Sequence, residues 1–333
     1  MNLHLSRRSP IGLDLGTRQV KAVQLSGSAT NPRISASLSI TRPDHTDDAT
    51  WYRKLDSLMT LRGFHGRSCV LAAPIEHLHS SIVELPSASD PVAAEQAARM
   101  ALSRLHRIEP TGFEYALHRA EPAEGAKGRK QIMSYVLEHA HADKLIESMT
   151  QAGFDTQRIE VPALALATTL VNDNTERGLT LLVDLGWSAC RVIACLSGSV
   201  VYERTIEPAG LETLFATVAE TAGQPFATVH ELLKQTQSSE TPTQDDPTLT
   251  KAIRQYAGLV TEETAVCKNY VSRLGSQDDR PRIILTGGGA RYPQVAEHLA
   301  RTIEADISQN TNDPQPGTEL AFALAASGWR AAA

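Results

Sequence analysis

The sequence predicts an α/β protein of two related lobes, with a smaller α+β module inserted in the first. Three observations carry that expectation. Short apolar runs of strand type alternate with helical stretches along most of the 333 residues, the pattern of sheets layered with helices. The run Ile11-Gly-Leu-Asp-Leu-Gly-Thr-Arg-Gln-Val-Lys21 is echoed by Leu181-Leu-Val-Asp-Leu-Gly-Trp-Ser-Ala-Cys-Arg191, about 170 residues later. A repeat of that length implies two lobes rather than a solenoid. A strand–helix–strand–strand–helix–strand succession fills about 80 residues of the first half, which suits a compact insertion.

Residues 11–17, 20–26 and 33–41 read as strands. Gly, Asn and Pro in Gly27–Arg33 favour a turn between the last two. At the first tip, Gly16 permits close backbone approach. Asp14, the amides around Gly16 and Thr17, and Lys21 would meet there. Amides, a hydroxyl and an ammonium suit phosphate oxygens, and a carboxylate suits the water shell of a metal. Taken alone, the same turn also reads as an ordinary surface hairpin. A helix at about 49–62 stops at Gly63, and Ser68–Ala73 is a short strand ended by Pro74.

Residues 79–86 form the next strand. Asp90-Pro91 starts a helix to about His106, with an aspartate cap and proline at the first helical position. Val92, Ala97, Met100, Ala101 and Leu105 are expected on its inner side. Phe113–Arg119 and Gln131–Glu138 are strands separated by the polar Ala120–Lys130. A helix at 142–152 turns Leu145, Ile146 and Met149 inward, and Thr156–Val161 is a strand. Pro162–Leu170 is a small-residue helix closed by the polar Asn172–Gly178.

The repeat aligns Asp14 with Asp184, Gly16 with Gly186 and Lys21 with Arg191, and both copies end in Leu-Ser-Gly. A decorative hairpin needs no second copy in register; a pair of phosphate turns does. Val200–Glu207 is the third strand of this copy. Pro208–Gly223 and Phe226–Gln235 read as helices, Thr236–Asp246 as a polar loop. Thr248–Leu274 is a long helix with Ile253, Tyr256, Ala257, Val260, Val266 and Tyr270 among its apolar positions. Arg282–Thr286 is a buried strand running into Gly287-Gly288-Gly289. A helix begins near Pro293, Ile303–Ile307 is a short strand, and Ser308–Gly317 is a loop. Glu319–Trp329 is a final alanine-rich helix.

The net charge of −6, with its cations dispersed, leaves no nucleic-acid or anionic-membrane footprint. No run approaches a membrane span. The N-terminus lacks the apolar core of a signal peptide, and the C-terminus is too short for an amphipathic anchor. Cys69, Cys190, Cys195 and Cys267 form no Cys-x-x-Cys pair and read as reduced, buried thiols. His77-x-His79 and His139-x-His141 fit one strand face, as solvated histidines or as a Zn²⁺ pair. The sequence carries no nucleophile motif, P-loop or dinucleotide fingerprint.

Three glycine turns in this order, Asp14-Leu-Gly16, Asp184-Leu-Gly186 and Thr286-Gly-Gly-Gly289, and two small-residue helices at 162–170 and 319–329 resemble the actin-like ATPase superfamily. The resemblance covers nearly the whole chain. Within the superfamily it is similar to the PilM branch of type IV pilus assembly, related to FtsA. The inserted module sits where those families carry theirs. His230-Glu-Leu-Leu-Lys234 resembles their Glu-x-x-Lys helix. The FtsA membrane-binding tail has no counterpart here. The resemblance implies a two-lobed actin-like ATPase fold with an SHS2-like insertion. Residues 1–78, completed by 157–176 and 318–333, would form the first lobe. Residues 79–156 would form the partner-binding module, and 177–317 the second lobe with a helical subdomain at about 208–257.

By the same resemblance, Asp14, Gly16, Thr17 and Lys21 take one phosphate side of ATP, and Asp184, Gly186 and Ser188 the other. Asp14 and Asp184 hold Mg²⁺ mainly through water. Glu231 and Lys234 face ribose, and Gly287, Gly288 and Gly289 let adenine pack on backbone. Glu231 and Lys234 also read as a solvated ion pair. Two departures stand out. Trp187 and Cys190 replace the usual small and hydroxyl residues of the second turn. Glu160 lies one residue from the expected acid, which reverses its side-chain direction and makes it a poor water-orienting base. The implied function is a cytoplasmic ATP-binding scaffold, at most a slow ATPase. It would be peripheral to the inner membrane through the cytosolic tail of a PilN-like protein, with self-association left open. A pseudo-ATPase that no longer binds nucleotide and a small-molecule kinase of the same fold are the alternatives.

Overall fold

The computed structural model describes residues 8–28, 30–42, 48–85, 90–119, 132–171, 178–238, 247–273, 281–292, 297, 299–301, 306–309 and 317–331. The separator at 120–131, most of the segment 172–178, the polar stretch at 239–246, the helix start at 293–296 and the loop at 310–316 lie outside the described residues. Two compact units divide the chain: Met1–Thr169 with Leu320–Ala333, and Leu170–Glu319.

In the first unit, β1 (Ile11–Leu15), β2 (Gln19–Ser28) and β3 (Asn31–Thr41) form an antiparallel meander. β4 (Ser68–Ala72) pairs parallel with β1, and β8 (Asp155–Glu160) parallel with β4, giving the order β3-β2-β1-β4-β8. Alternation along the strands gives the sheet two apolar faces. On one face Leu13 and Leu71 pack with Trp51, Leu55 and Met59 of α1 (Asp48–Leu61) and Met149 of α3 (His139–Gln151). On the other, Val23 and Leu25 pack with Ala321, Ala325 and Trp329 of α8 (Glu319–Ala331). Ala165 of α4 (Pro162–Leu170) joins Val70, Ala72, Ala323 and Leu324. Gly12 explains why α8 is alanine-rich. A Cβ at residue 12 would lie 2.0 Å from the Ala321 carbonyl oxygen and 2.5 Å from the Ala325 nitrogen. The helix therefore lies directly on the backbone of β1, where only small side chains fit.

The segment 79–156 divides. β5 (Leu78–Val83), β6 (Phe113–Arg119) and β7 (Ile132–Glu138) make a separate antiparallel sheet, β5-β7-β6. It is covered by α2 (Pro91–His106) through Leu102, Phe113, Ile132 and Val136. α3 and β8, read above with the module, instead complete the core and sheet of the first lobe. The strand at β8 is a good partner for β4 in either assignment, so local pattern does not distinguish them. The cap on α2 is as expected: the Asp90 carboxylate accepts from the amides of Val92 and Ala93. Its inner face differs. Ala98 and Leu102 are buried, whereas Val92, Met100 and Leu105 are exposed. Alanines on all sides of α2 leave the apolar stripe undefined. Its rotation is fixed by Arg99, which donates to the carbonyls of Pro110 and Phe113. In α3, Ile146 is likewise exposed while Met149 is buried.

The second unit repeats the first sheet. β9 (Leu179–Leu185), β10 (Cys190–Leu196) and β11 (Ser199–Ile206) are antiparallel; β12 (Arg282–Thr286) and β13 (Asp306–Gln309) add in parallel. The order is β11-β10-β9-β12-β13. The sequence echo thus extends from one turn to a whole five-stranded topology. α5 (Leu211–Ala222), α6 (Val229–Ser238) and α7 (Pro247–Ser272) complete the unit. Tyr256 of α7 donates its hydroxyl to the Ala209 carbonyl at 3.0 Å, beneath the start of α5. Tyr256, Ala257 and Val260 are buried as expected; Val266 is exposed, and Cys267 takes the inward position.

Candidate functional site

Each meander ends in the same device. In the first turn Asp14 stands opposite Lys21 in the β1–β2 register, and the ammonium donates to Asp14 Oδ2 at 3.2 Å. A Cβ on Gly16 would lie 2.8 Å from the Gln19 carbonyl oxygen, so this tight tip requires glycine. Thr17 is exposed at the tip. In the second turn Asp184 stands opposite Arg191 in the β9–β10 register, and the guanidinium donates to Asp184 Oδ2 at 2.5 Å. A Cβ on Gly186 would lie 2.7 Å from the Ala189 carbonyl oxygen. Ser188 is exposed. The matched registers follow from the seven-residue spacing of acid and cation. With a four-residue tip (16–19 and 186–189) between the last paired residues of the antiparallel strands, that spacing sets the two side chains directly opposite on one face.

The pairs differ in depth. Arg191 is 3% exposed, against 12% for Lys21. Asp184 is also wedged on its other side. Its Oδ1 is 2.4 Å from where a Gly287 Cβ would stand, and Thr286 is its neighbour in the β9–β12 register. Gly287 has φ +79°, which an L side chain rarely adopts. The triple-glycine turn is therefore packed against the second acid–cation turn. Gly289 is equally confined, since a Cβ there would lie 2.5 Å from the Leu185 Cβ. Gly288 is looser, meeting only Leu211 Cδ1 at 3.4 Å.

The two unusual residues of the second turn are turned inward. Trp187 packs edge-on against Phe215 and Phe226, with ring centroids 5.0 and 6.0 Å apart. Phe215 in turn meets Tyr292, whose hydroxyl lies 3.3 Å from His230 Nδ1. Cys190 is fully buried; its thiol is held neutral by burial and by the Asp184 charge beside it. Burial likewise pushes the Tyr292 hydroxyl up to about 12. Neither Trp187 nor Cys190 presents a group at the tip.

Sequence reasoning missed two supports. The amides of Leu211 and Glu212, at the start of α5, donate to the carbonyls of Gly186 and Trp187 at 3.0 Å each. Gly210 allows this, because a Cβ would fall 2.5 Å from the Trp187 carbonyl oxygen. The signal was Pro208-Ala-Gly210 directly before a helix. Glu319 is the other: buried, it accepts from the amides of Gly287 and Gly317. Glu231 lies exposed on α6; Lys234 is on the same helix, and its side chain lies outside the described residues. Glu160 pairs with Arg158 at 2.7 Å. The histidine pairs are not strand neighbours. His77 lies in a turn and stacks on His141 of α3 at 3.6 Å, and His79 faces His106 at 5.2 Å. Among the described residues no group of three or more His, Cys, Asp or Glu side chains could hold a metal ion.

No protein-family profile and no curated protein sequence matches the chain. Solved structures do. The chain is similar to the PilM–PilN type IV pilus biogenesis complex, with TM-score 0.80 and 16% identity over 96% of this chain and 98% of that one. It is also similar to the ethanolamine utilization protein EutJ of Carboxydothermus hydrogenoformans, with TM-score 0.59 and 15% identity over 98% and 91%. The activator of 2-hydroxyisocaproyl-CoA dehydratase from Clostridium difficile, solved with bound ADPNP, gives TM-score 0.51 and 13% identity over 97% and 95%. At these identities the likeness establishes the fold: the chain has the actin-like ATPase fold, in a form similar to PilM. No helix among the described residues is long and apolar enough to cross a membrane.

Proposed function

We propose that this chain is an ATP-binding actin-like scaffold of type IV pilus assembly or a related secretion machine. It would act in the cytoplasm, docking the cytosolic tail of a PilN-like inner-membrane protein. The observation that carries the reading is the duplicated acid–cation turn, Asp14–Lys21 and Asp184–Arg191, set in two sheets of identical order. A duplicated scaffold of this kind supplies one phosphate turn in each unit. The donor set suits a triphosphate and its Mg²⁺: carboxylates at Asp14 and Asp184, tip amides, exposed hydroxyls at Thr17 and Ser188, and the Lys21 ammonium. When bound, Mg²⁺ neutralises phosphate charge. Lys21 is the cation more free to divide itself between Asp14 and a phosphate, since Arg191 lies deeper beside Asp184. Gly16 and Gly186 keep the tips low enough for phosphate oxygens to reach backbone amides. Glu231, Lys234 and Gly287 to Gly289 would take ribose and adenine.

Hydrolysis needs a placed water as well as bound phosphates. Glu160, the nearest counterpart of the expected acid, is engaged by Arg158, which supports binding with at most slow turnover. The likeness to the PilM–PilN complex supports the partner, and the β5-β7-β6 module offers sheet edges to an extended peptide. A pull-down of the folded protein with the cytosolic tail of the neighbouring single-span membrane protein, with and without ATP–Mg²⁺, tests the scaffold. Capture of the tail supports it; no capture in either condition sinks it. A second reading, a scaffold that has lost nucleotide, draws on the inward Trp187 and Cys190 and on the wedged Asp184. Calorimetric titration with ATP–Mg²⁺ separates the two.

A further inference from the structure

Glu319 occupies a position with two unusual properties. Its carboxylate is 3% exposed and accepts from two backbone amides in separate turns. One oxygen takes Gly317 N–H at 2.9 Å and the other Gly287 N–H at 3.4 Å. Both donors belong to glycines with positive φ, +95° at residue 317 and +79° at residue 287. Neither turn is set by an ordinary side-chain preference, so the carboxylate between them fixes their spacing. They are close-packed as well: a Cβ on Gly317 would lie 3.3 Å from the Gly287 carbonyl oxygen. A buried carboxylate needs such donors to offset its desolvation.

Glu319 is also the first residue of α8 and the last residue of the second unit; from Leu320 onward the chain belongs to the first. α8 then lies on β1 against Gly12, where a Cβ would meet Ala321 and Ala325 backbone. The same strand carries Asp14 at its end. A helix seated on bare backbone has little slack, so a shift at its first residue moves the helix rather than a side chain.

We propose that Glu319 is a positioning residue that couples the glycine turn at Gly287–Gly289 to helix α8, so that nucleotide held at that turn is read out in the helix. This rests on the ATP-binding reading above. A ligand ordering Gly287 acts on the Glu319 carboxylate through the shared N–H bond, and the carboxylate transmits the change to the first turn of α8.

Amide hydrogen exchange tests this on the full chain, with and without saturating ATP–Mg²⁺. In the wild type, nucleotide is expected to slow exchange about fivefold or more in both 287–291 and 319–331. Glu319→Gln keeps the shape and one acceptor but replaces the other with a donor. It should retain the protection of 287–291 and lose most of that in 319–331, and Glu319→Asp, shorter but charged, should fall between. A merely structural role would lower the melting temperature without separating the two segments. Equal protection of both segments in wild type and Glu319→Gln overturns the coupling alone. No protection at 287–291 in the wild type, with no heat of binding, overturns the ATP reading and the coupling together.

Discussion

Gly287 and Gly288 are adjacent, chemically identical, and should respond oppositely to the same methyl group. At residue 287 the added Cβ would stand 2.4 Å from Asp184 Oδ1 and 2.8 Å from the Leu185 carbonyl oxygen, on a backbone with φ +79°. With ψ −177° this backbone lies in an extended positive-φ region that essentially only glycine occupies, and it alone costs an alanine about 1–3 kcal/mol. Relieving the contact requires the Asp184 carboxylate to move by roughly 1 Å, which disturbs its bond to Arg191 at 2.5 Å. Disturbing a buried charge pair costs about 3 kcal/mol or more. Gly287→Ala should therefore destabilise the second unit by about 4 kcal/mol. For a unit of about 150 residues that is a fall in melting temperature of roughly 8–16 °C. At residue 288 the Cβ meets only Leu211 Cδ1 at 3.4 Å, the φ is not left-handed, and the change should be within about 0.5 kcal/mol. Thermal and urea unfolding followed by circular dichroism would measure both. Equal effects of the two substitutions, or a larger effect at 288, would refute the packing of the glycine turn on Asp184.

Other consequences are as direct. Arg191→Met removes a cation that is 3% exposed and should cost about 3 kcal/mol, whereas Lys21→Met, at the 12%-exposed pair, should cost about 1 kcal/mol; urea midpoints in the reverse order would contradict the difference in depth. Trp187→Ala should lose about 2 kcal/mol with its two edge-on ring contacts, and an unchanged melting temperature would show that the ring is not held there. Burial raises the thiols of Cys69, Cys195 and Cys267 and the Tyr292 hydroxyl to about 12. A raised folded-state value adds stability that is complete below the unfolded value and lost as pH rises through the folded one. Stability should therefore hold to about pH 8 and fall steeply between about pH 9 and pH 12, as a pH series of urea midpoints would show. A flat profile over that range would contradict the burial of these groups.

The order of strands and helices was legible because most elements announce themselves locally. Asp90-Pro91 caps α2, Gly63 and Gly153 end helices with φ +82° and +86°, and the triple glycine follows an apolar run. The two lobes were legible only through the Asp-Leu-Gly repeat, which fixes register as well as topology: seven residues separate acid and cation in both copies, and both pairs form. What the sequence hid was set by tertiary contact. The inner face of α2 is chosen by Arg99 binding two carbonyls, and an alanine-rich helix carries no record of that choice. β8 joins β4 in the first sheet because of chain return, not composition. Trp187 stands where a small residue is usual, and it turns inward because Phe215 and Phe226, distant in sequence, offer it a face. Gly210 and Glu319 each sit beside a helix start, where an ordinary capping role would explain them equally well.

The proposed function depends on the first turn gripping phosphate. Calorimetric titration of the full chain with ATP–Mg²⁺, wild type against Asp14→Ala and Lys21→Met, tests it most directly. Saturable binding by the wild type is expected, with a loss of about tenfold or more in affinity for each variant, about 1.4 kcal/mol, and a fall in melting temperature of no more than about 2–4 °C. Wild-type heats indistinguishable from dilution, or variants that bind as tightly as the wild type, would contradict it.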